Sequence, residues 1–259
     1  MSFLESIFLG IVQGATEFLP VSSSAHLKLA KHFLNFQEPE HFVLLDLSCH
    51  LGTLMALLVF LRKDILEVLK RKKQILLFFL ALIPLIPCYF LLKPLREIAS
   101  QKEFLGPCLM GTGLILLAGQ SLRVSRSNLN GTTPKIQDVL MIGTLQSAAL
   151  IPGISRSAAT ISCARILGWG AQEAVRFSFL LSIPTILGGN LIEFIKTASF
   201  SENGVSLPIA SLFTAFASAF LVGFFIVKKA VGYLEKGNLK PFAGYCLALG
   251  FIVTLYLTV

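Results

Sequence analysis

The sequence predicts an all-α polytopic membrane protein, built as a single integral membrane domain over residues 1–259. Only 14% of the residues are charged and 54% are hydrophobic, with a mean hydropathy of +0.77, whereas a soluble domain carries about 25% charged residues. The apolar residues fall into runs long enough to cross a bilayer, which takes about 20 residues in a helix. The loops between these runs differ strongly in basic charge. These three observations predict a bundle of membrane-spanning helices.

Six apolar runs predict the transmembrane helices. Four of them contain no charged residue, and the other two contain polar residues. In chain order the predicted spans cover residues 44–61, 74–92, 104–122, 177–195, 207–227 and 241–259. Within the two polar runs we interpret Asp46 as a helix-end or buried polar contact, His50 as structural and Glu193 as interfacial.

The basic residues assign an orientation to these spans. The loops at 62–73, 123–138 and 228–240 carry six, three and four Lys or Arg residues, against three in 93–103 and one at Lys196. Because loops rich in Lys and Arg stay in the cytoplasm, the first three loops are predicted to be cytoplasmic. Orientation also explains the cluster RKDILEVLKRKK, so no nucleic-acid partner is predicted.

Two further apolar stretches, 3–34 and 139–169, are each interrupted near the middle by proline, glycine and a cluster of serines. The loop charges alternate correctly only if each stretch returns to the side from which it entered. Both are therefore predicted to be re-entrant helix–turn–helix pairs, the first opening from the outer face and the second from the cytoplasmic face.

The two interrupted stretches also resemble each other. QGATEFLPVSSSAH (13–26) and QSAALIPGISRSAAT (146–160) share glutamine, then proline six or seven residues on, then a serine cluster followed by alanine. A shorter echo pairs FFLALIP at 78–84 with FLLSIP at 179–184. Each half, about 1–122 and 135–259, would hold one re-entrant pair and three spans. Because three is odd, the halves would have opposite topologies, which is the inverted-repeat plan of transporters with a midplane site.

The second motif has the residues of a phosphate cradle. An arginine in an apolar run costs roughly 2.5–3.5 kcal/mol on insertion scales, so Arg156 is expected to face a polar cavity. Proline breaks each stretch, and the serines that follow are suited to cap a new helix. Free N–H groups at such a helix start bind anions, Gly153 permits a close backbone approach, and Arg156 supplies a bidentate cation.

The first motif has residues suited to proton transfer. Glu17 follows Gln13 by one helical turn, so both side chains can face the same cavity. His26 lies early in the second short helix, after the serines. A carboxylate, an imidazole and hydroxyls facing an arginine match a phosphoryl-transfer site. Because phosphate binding alone would not need the protonatable pair, hydrolysis is favoured.

Both motifs resemble the signatures of the undecaprenyl-diphosphatase (bacitracin-resistance) family, an (E/Q)xxxE motif running into PVSSxxH and a PGxSRSxxT motif. The resemblance extends over the whole chain and implies a multi-pass bacterial inner-membrane enzyme. Such an enzyme would hydrolyse undecaprenyl diphosphate to undecaprenyl phosphate and inorganic phosphate, assisted by a divalent cation, Mg²⁺ or Ca²⁺. It would recycle the lipid carrier for cell-wall synthesis and confer bacitracin resistance.

The resemblance also implies roles for individual residues. The implied catalytic residues are Glu17, Ser23, His26 and Arg156. The implied diphosphate-binding residues are Gln13, Ser22, Gly153, Ser155, Arg156, Ser157 and Thr160. Gln13 leaves one carboxylate where many relatives have two, so Glu17 is the only implied metal ligand. The nucleophile stays open between Ser23, His26 and a water activated by His26.

Two other functions fit parts of the pattern. Inverted repeats with a midplane anion site also fit a transporter or flippase of a phosphorylated polyprenol. A lipid phosphatase with PSGH and SRxxxxxHxxxD elements is disfavoured, because no histidine follows Arg156. We expect the site to be reached from the extracytoplasmic face. The sequence leaves the oligomeric state open, a homodimer included.

The orientation predicts that a cysteine introduced within 62–73 reacts with a thiol reagent only from the cytoplasmic side. The measurement is labelling of intact cells with a membrane-impermeant reagent, before and after permeabilisation. Labelling from the outside alone would overturn the topology.

Overall fold

The computed structural model describes residues 3–35, 39–122, 134–200 and 208–258, and every regular element in these ranges is helical. The α-helices are α1 (Phe3–Thr16), α2 (Ser23–Phe33), α3 (Pro39–Phe60), α4 (Arg62–Leu69), α5 (Lys72–Leu82), α6 (Leu85–Leu91), α7 (Lys93–Ala99), α8 (Leu105–Ser121), α9 (Ile136–Gln146), α10 (Arg156–Ile166), α11 (Ala171–Phe200), α12 (Ile209–Leu234) and α13 (Lys240–Thr258). Short 3₁₀ turns lie at Lys102–Phe104 and Ser147–Leu150.

The six predicted spans are confirmed as helices long and apolar enough to cross a membrane, which makes this a multi-pass membrane protein. The matching segments are Val43–Phe60, Lys72–Leu91, Lys102–Ser121, Ala171–Thr197, Ile209–Leu234 and Lys240–Leu257. The fifth of these spanning helices, α12, continues past the predicted end at residue 227 and carries Lys228 and Lys229. Lysine is a good helix former whose long side chain can extend to the membrane surface. The predicted span stopped before the first lysine, whereas the helix itself continues through both lysines.

The segment 62–73 was predicted to be a loop, but it is largely helical, because it contains α4 and the first residues of α5. The second span is in turn divided at Pro84, where α5 ends and α6 begins. Pro184, by contrast, lies inside the continuous helix α11. FFLALIP thus lies on the second span of its half and FLLSIP on the first span of the other. The two segments are not equivalent, and their echo does not support a repeat.

The two interrupted stretches each form a pair of short helices that contact each other, α1 with α2 and α9 with α10. The non-helical segments between the helices contain Pro20 and Pro152. Phe18 and Ala158, one beside each break, belong to the same buried apolar cluster. The ring of Phe18 also stacks on Phe179 of α11, with 6.1 Å between ring centroids. The core therefore brings the two breaks together.

Small residues let the long helices approach closely, as is usual between helices in a membrane. The α1 helix packs on α12 through Gly10 and Gly14, and α8 packs on α13 through Gly106 and Gly113. A Cβ atom at Gly106 would lie only 2.6 Å from the carbonyl oxygen of Gly250. These contacts leave no space for a methyl group, so the helix backbones themselves set the distances.

Gly106→Ala is expected to lower the free energy of unfolding by about 1–3 kcal/mol, because the methyl group overpacks the α8–α13 contact. The matched control is Gly244→Ala on α13, where a Cβ atom would meet nothing within 4 Å. Alanine is the better helix former, so this control should be neutral or stabilising. Thermal unfolding in detergent measures both changes, and equal stability of the two variants would contradict the packing described.

Candidate active site

A cavity of about 430 Å³ lies where the two helix breaks meet. Both motifs contribute side chains to its wall. They are Glu17, Ser22, Ser23, Ser155, Arg156 and Ser157. Further wall residues come from α3, α6, α9 and α11. The motifs are far apart in sequence, so the cavity exists only because the fold joins the two halves of the chain.

The closest link between the two motifs is an ion pair. Arg156 Nη2 lies 2.8 Å from Glu17 Oε1 and donates a hydrogen bond to it, and the two side chains are 16% and 6% exposed. Arg156 begins α10, whereas Glu17 directly follows α1. Removing water from two charges is expensive, so each of them depends on the other for its stability in the interior.

The second oxygen of Glu17 is also occupied. Glu17 Oε2 accepts hydrogen bonds from Gln13 Nε2 at 2.9 Å and from Ser23 Oγ at 2.7 Å. Gln13 is fully buried, one turn before Glu17 on α1. Three donors therefore hold the carboxylate in one orientation, and its hydrogen bond with Ser23 brings a hydroxyl and a base together.

The second motif forms a rigid turn before α10. The Ser155 side chain caps the helix by accepting a bond from the Ala158 N–H at 3.3 Å, as the sequence predicts. Thr112 of α8 accepts from the Ser155 N–H at 3.0 Å and donates to the Gly153 carbonyl at 2.8 Å. Gly153 has φ +100°, and a Cβ atom there would overlap the side chain of Cys108. The turn therefore requires glycine.

The first break is different. Ser22 precedes α2 with a left-handed φ of 67° and makes no side-chain cap, so the predicted capping is wrong at this helix. A non-glycine residue in this conformation is uncommon and is found most often at functional sites. The Ser22 hydroxyl instead lies 3.2 Å from that of Ser24. Ser157 Oγ donates to the Leu19 carbonyl at 3.3 Å and ties the two breaks together.

His26 and Thr160 lie outside the cavity wall. His26 Nδ1 is 2.8 Å from the Ser22 carbonyl, and Nε2 is 2.7 Å from the Tyr245 hydroxyl of α13. Thr160 is buried and bonds to Ser178 at 2.6 Å. Of the four residues implied to be catalytic, the structure brings Glu17, Ser23 and Arg156 into direct contact. Ser23 bonds to Glu17 and not to His26.

Several wall residues were not predicted to belong to the site. Asp46 and His50 of α3 line the cavity, and both Asp46 oxygens accept from Lys31 Nζ at 2.6 Å. Asp46 therefore makes a polar contact as expected, but the contact is only half-buried, and its position at the site was not predicted. Gln146 and Asn190 also line the wall. The only signal for Gln146 was its match with Gln13, and Asn190 gave none.

One carboxylate on the cavity wall has the chemistry of a divalent-cation ligand. The described part of the chain contains no cluster of three or more His, Cys, Asp or Glu residues that could hold a metal on its own. Mg²⁺ is commonly held by one or two carboxylates together with substrate phosphates. Glu17 lies on the wall and is a carboxylate of this kind, whereas Gln13 is not among the wall residues.

Comparison with known proteins gives matches along almost the whole chain. The family described as bacitracin resistance protein BacA matches residues 6–252. An undecaprenyl-diphosphatase of Protochlamydia amoebophila is 38% identical over 99% of both chains. Undecaprenyl-diphosphatase 4 of Bacillus cereus strain ZK is 35% identical over 98% of this chain and 96% of its own. The undecaprenyl-diphosphatase of Carboxydothermus hydrogenoformans is 36% identical over 98% of this chain and 97% of its own.

Replacing one member of the ion pair should destabilise the protein by about 3–5 kcal/mol, because a buried charge is left alone. We expect Glu17→Leu and Arg156→Met each to show this loss, and the double variant to lose less than the sum. A double-mutant cycle on thermal unfolding in detergent measures the coupling.

The exposed pair of Arg176 with Glu67, at 2.8 Å, is the matched control. Its coupling should stay below about 1 kcal/mol, since water and salt screen it. Equal coupling energies for the two pairs would show that burial does not strengthen the dependence between Glu17 and Arg156.

Proposed function

This chain belongs to the bacitracin resistance protein BacA family, and on that premise we propose that it hydrolyses undecaprenyl diphosphate to undecaprenyl phosphate and inorganic phosphate. The three undecaprenyl-diphosphatases reported above, which are 35–38% identical to this chain, support this activity. The observation that carries the proposal is the contact of Glu17 with Arg156 and Ser23 at the wall of one cavity. It joins a cation, a base and a hydroxyl, which are the groups that phosphoryl transfer requires.

The diphosphate binds at the start of α10. Arg156 bonds phosphoryl oxygens, and the N–H groups of the first helical turn face the same anion. Ser155 and Ser157 add hydroxyls from the cavity wall. Gly153 shapes the turn before α10 against Cys108, while Thr160 supports the helix from behind through its bond to Ser178. As the phosphate takes the guanidinium of Arg156, it competes with Glu17 for that group.

The contacts favour Ser23 as the nucleophile, with Glu17 as its base. Ser23 Oγ attacks the terminal phosphorus, its proton passes to Glu17 Oε2, and the bond from that phosphorus to the bridging oxygen breaks. Undecaprenyl phosphate leaves. A water molecule then attacks the phosphorus of the phosphoserine, and the bond from that phosphorus to Ser23 Oγ breaks. Glu17 returns its proton to Ser23 Oγ, and inorganic phosphate leaves with the protons of the water. Release of Glu17 from Arg156 by the substrate makes the carboxylate a better proton acceptor.

His26 acts on this chemistry indirectly. Both its ring nitrogens are engaged, with the Ser22 carbonyl and with Tyr245. The bond to Ser22 holds the residue whose left-handed conformation precedes Ser23. The alternatives, His26 as nucleophile or as activator of a water, would require the imidazole to leave both partners.

A divalent cation, Mg²⁺ or Ca²⁺, would be held by Glu17 together with substrate oxygens. When bound, it would neutralise charge on the diphosphate.

We further propose that the two interrupted stretches are re-entrant and that the chain is an inverted repeat. The same spacing separates Gly10 from Gly143 and Gln13 from Gln146. Gly10 abuts α12 and Gly143 abuts α5, and each of these helices is the second span of its half. Such equivalent contacts support a common origin of the halves.

The site would then lie at membrane depth in the bacterial inner membrane, open to the extracytoplasmic face. Hydrolysis there would return the lipid carrier to cell-wall synthesis. It would also lower sensitivity to bacitracin, a role that the name of the family supports. Broken helices around a cavity also fit a flippase of a phosphorylated polyprenol. Phosphate release separates the two functions, because a flippase leaves the diphosphate intact.

The purified protein should release phosphate from undecaprenyl diphosphate, and EDTA should abolish the release until Mg²⁺ or Ca²⁺ is restored. Glu17→Ala, His26→Ala, Ser23→Ala and Arg156→Ala should each lower turnover by at least about a hundredfold, because each removes a group that acts on the reacting atoms or positions one. A colorimetric phosphate assay measures the rates.

Arg176→Ala is the matched control, since that arginine pairs with Asp64 and Glu67 away from the cavity, and it should keep the wild-type rate. No release by folded wild-type protein would refute the hydrolase function. Near-normal rates in the Glu17, His26 and Arg156 variants would refute the site instead.

A further inference from the structure

Gln146 is a buried amide without a partner. Its side chain is 1% exposed and lines the cavity, and neither Nε2 nor Oε1 makes a hydrogen bond. It ends α9, immediately before the second break. Buried polar atoms in folded proteins are almost always paired, and an unpaired one lowers stability. A side chain that carries two such atoms into a cavity is suited to a ligand.

Asn190 supplies a second unpaired donor to the same cavity. Its Nδ2 atom is buried without a hydrogen-bond partner, and the residue lines the wall from α11. Gly189 beside it also lines the wall, and a Cβ atom there would meet nothing within 4 Å. The wall next to Asn190 is therefore open enough to admit a ligand.

The charge of the wall explains why neutral donors are useful here. Arg156 is the only Lys or Arg among the described wall residues and is already paired with Glu17, while the wall carboxylates of Asp46 and Glu193 are paired with Lys31 and Lys196. A diphosphate carries more oxygen acceptors than one guanidinium can bond. Amide N–H groups satisfy phosphoryl oxygens without adding a charge that the carboxylates would compete for.

We propose that Gln146 and Asn190 form an amide subsite that donates hydrogen bonds to the substrate's diphosphate oxygens. This subsite rests on the proposed hydrolase function. It binds the anion alongside Arg156, and neither amide takes a proton in the reaction. Loss of the amides therefore weakens substrate binding more than it slows the chemical step.

The experiment compares Gln146→Met and Asn190→Leu with the wild type. Each variant should raise KM for undecaprenyl diphosphate by about ten- to a hundredfold, the effect of losing hydrogen bonds to a charged group. The turnover number should change by less than about threefold, since the groups that react remain. The thermal midpoint should stay equal or rise, because an unpaired buried amide has been removed.

Gln146→Glu keeps the size of the side chain but replaces its donor by a negative acceptor, so it should raise KM further than Gln146→Met. Gln172→Met, at an exposed position near the start of α11, is the control and should change neither KM nor stability. Unchanged KM in both amide variants, or a lowered thermal midpoint with unchanged KM, would overturn the subsite.

Binding of inorganic pyrophosphate, measured by calorimetry on the same proteins, separates this inference from the hydrolase function. If the wild type releases phosphate but the amide variants bind pyrophosphate normally, the subsite fails and the function stands. If the wild type releases no phosphate yet Gln146→Met weakens pyrophosphate binding, the subsite stands and the function fails.

Discussion

The buried ion pair between Glu17 and Arg156 is the interaction on which the rest of the site depends. Each buried charge would be costly alone, and each comes from a different half of the chain. Their contact requires the two helix breaks to meet, and that meeting creates the cavity. The same contact explains why Ser23 lies beside a carboxylate whose other oxygen already faces a cation. Stability and chemistry here have one origin.

Non-helical backbone within a membrane protein must find polar partners inside the protein, and this requirement shapes the walls of the site. Thr112 satisfies two backbone groups of the second turn, and Ser157 bonds a carbonyl of the first. These groups belong to the supporting structure as much as to substrate binding. The apolar cluster around Phe18 packs beside both breaks. The polar side chains around the breaks are therefore needed to satisfy the backbone groups that the helices leave unbonded.

Much of this architecture follows from sequence. Apolar run lengths predict the six spans, and the cost of Arg156 in such a run predicts that it faces a polar cavity, whereas its direct pairing with Glu17 appears only in the structure. The position of His26 was harder to predict from sequence, because it depends on the left-handed backbone conformation of Ser22, which a serine rarely adopts. Gln146 and Asn190 are neutral, and a neutral amide in an apolar run gives no charge signal. Their position emerges only when separate helices pack.

The local hydrogen bonds of Glu17 have a consequence for biosynthesis. Ribosomes make the chain from its N-terminus, so the carboxylate is synthesised well before the arginine that pairs with it. Gln13 and Ser23, four and six residues away, are synthesised with it and can satisfy one of its oxygens at once. The other oxygen, Oε1, gains its partner only when α10 with Arg156 has been made. The glutamate is thus accompanied by its own donors during assembly, and the late arrival of Arg156 completes both the bundle and the active site.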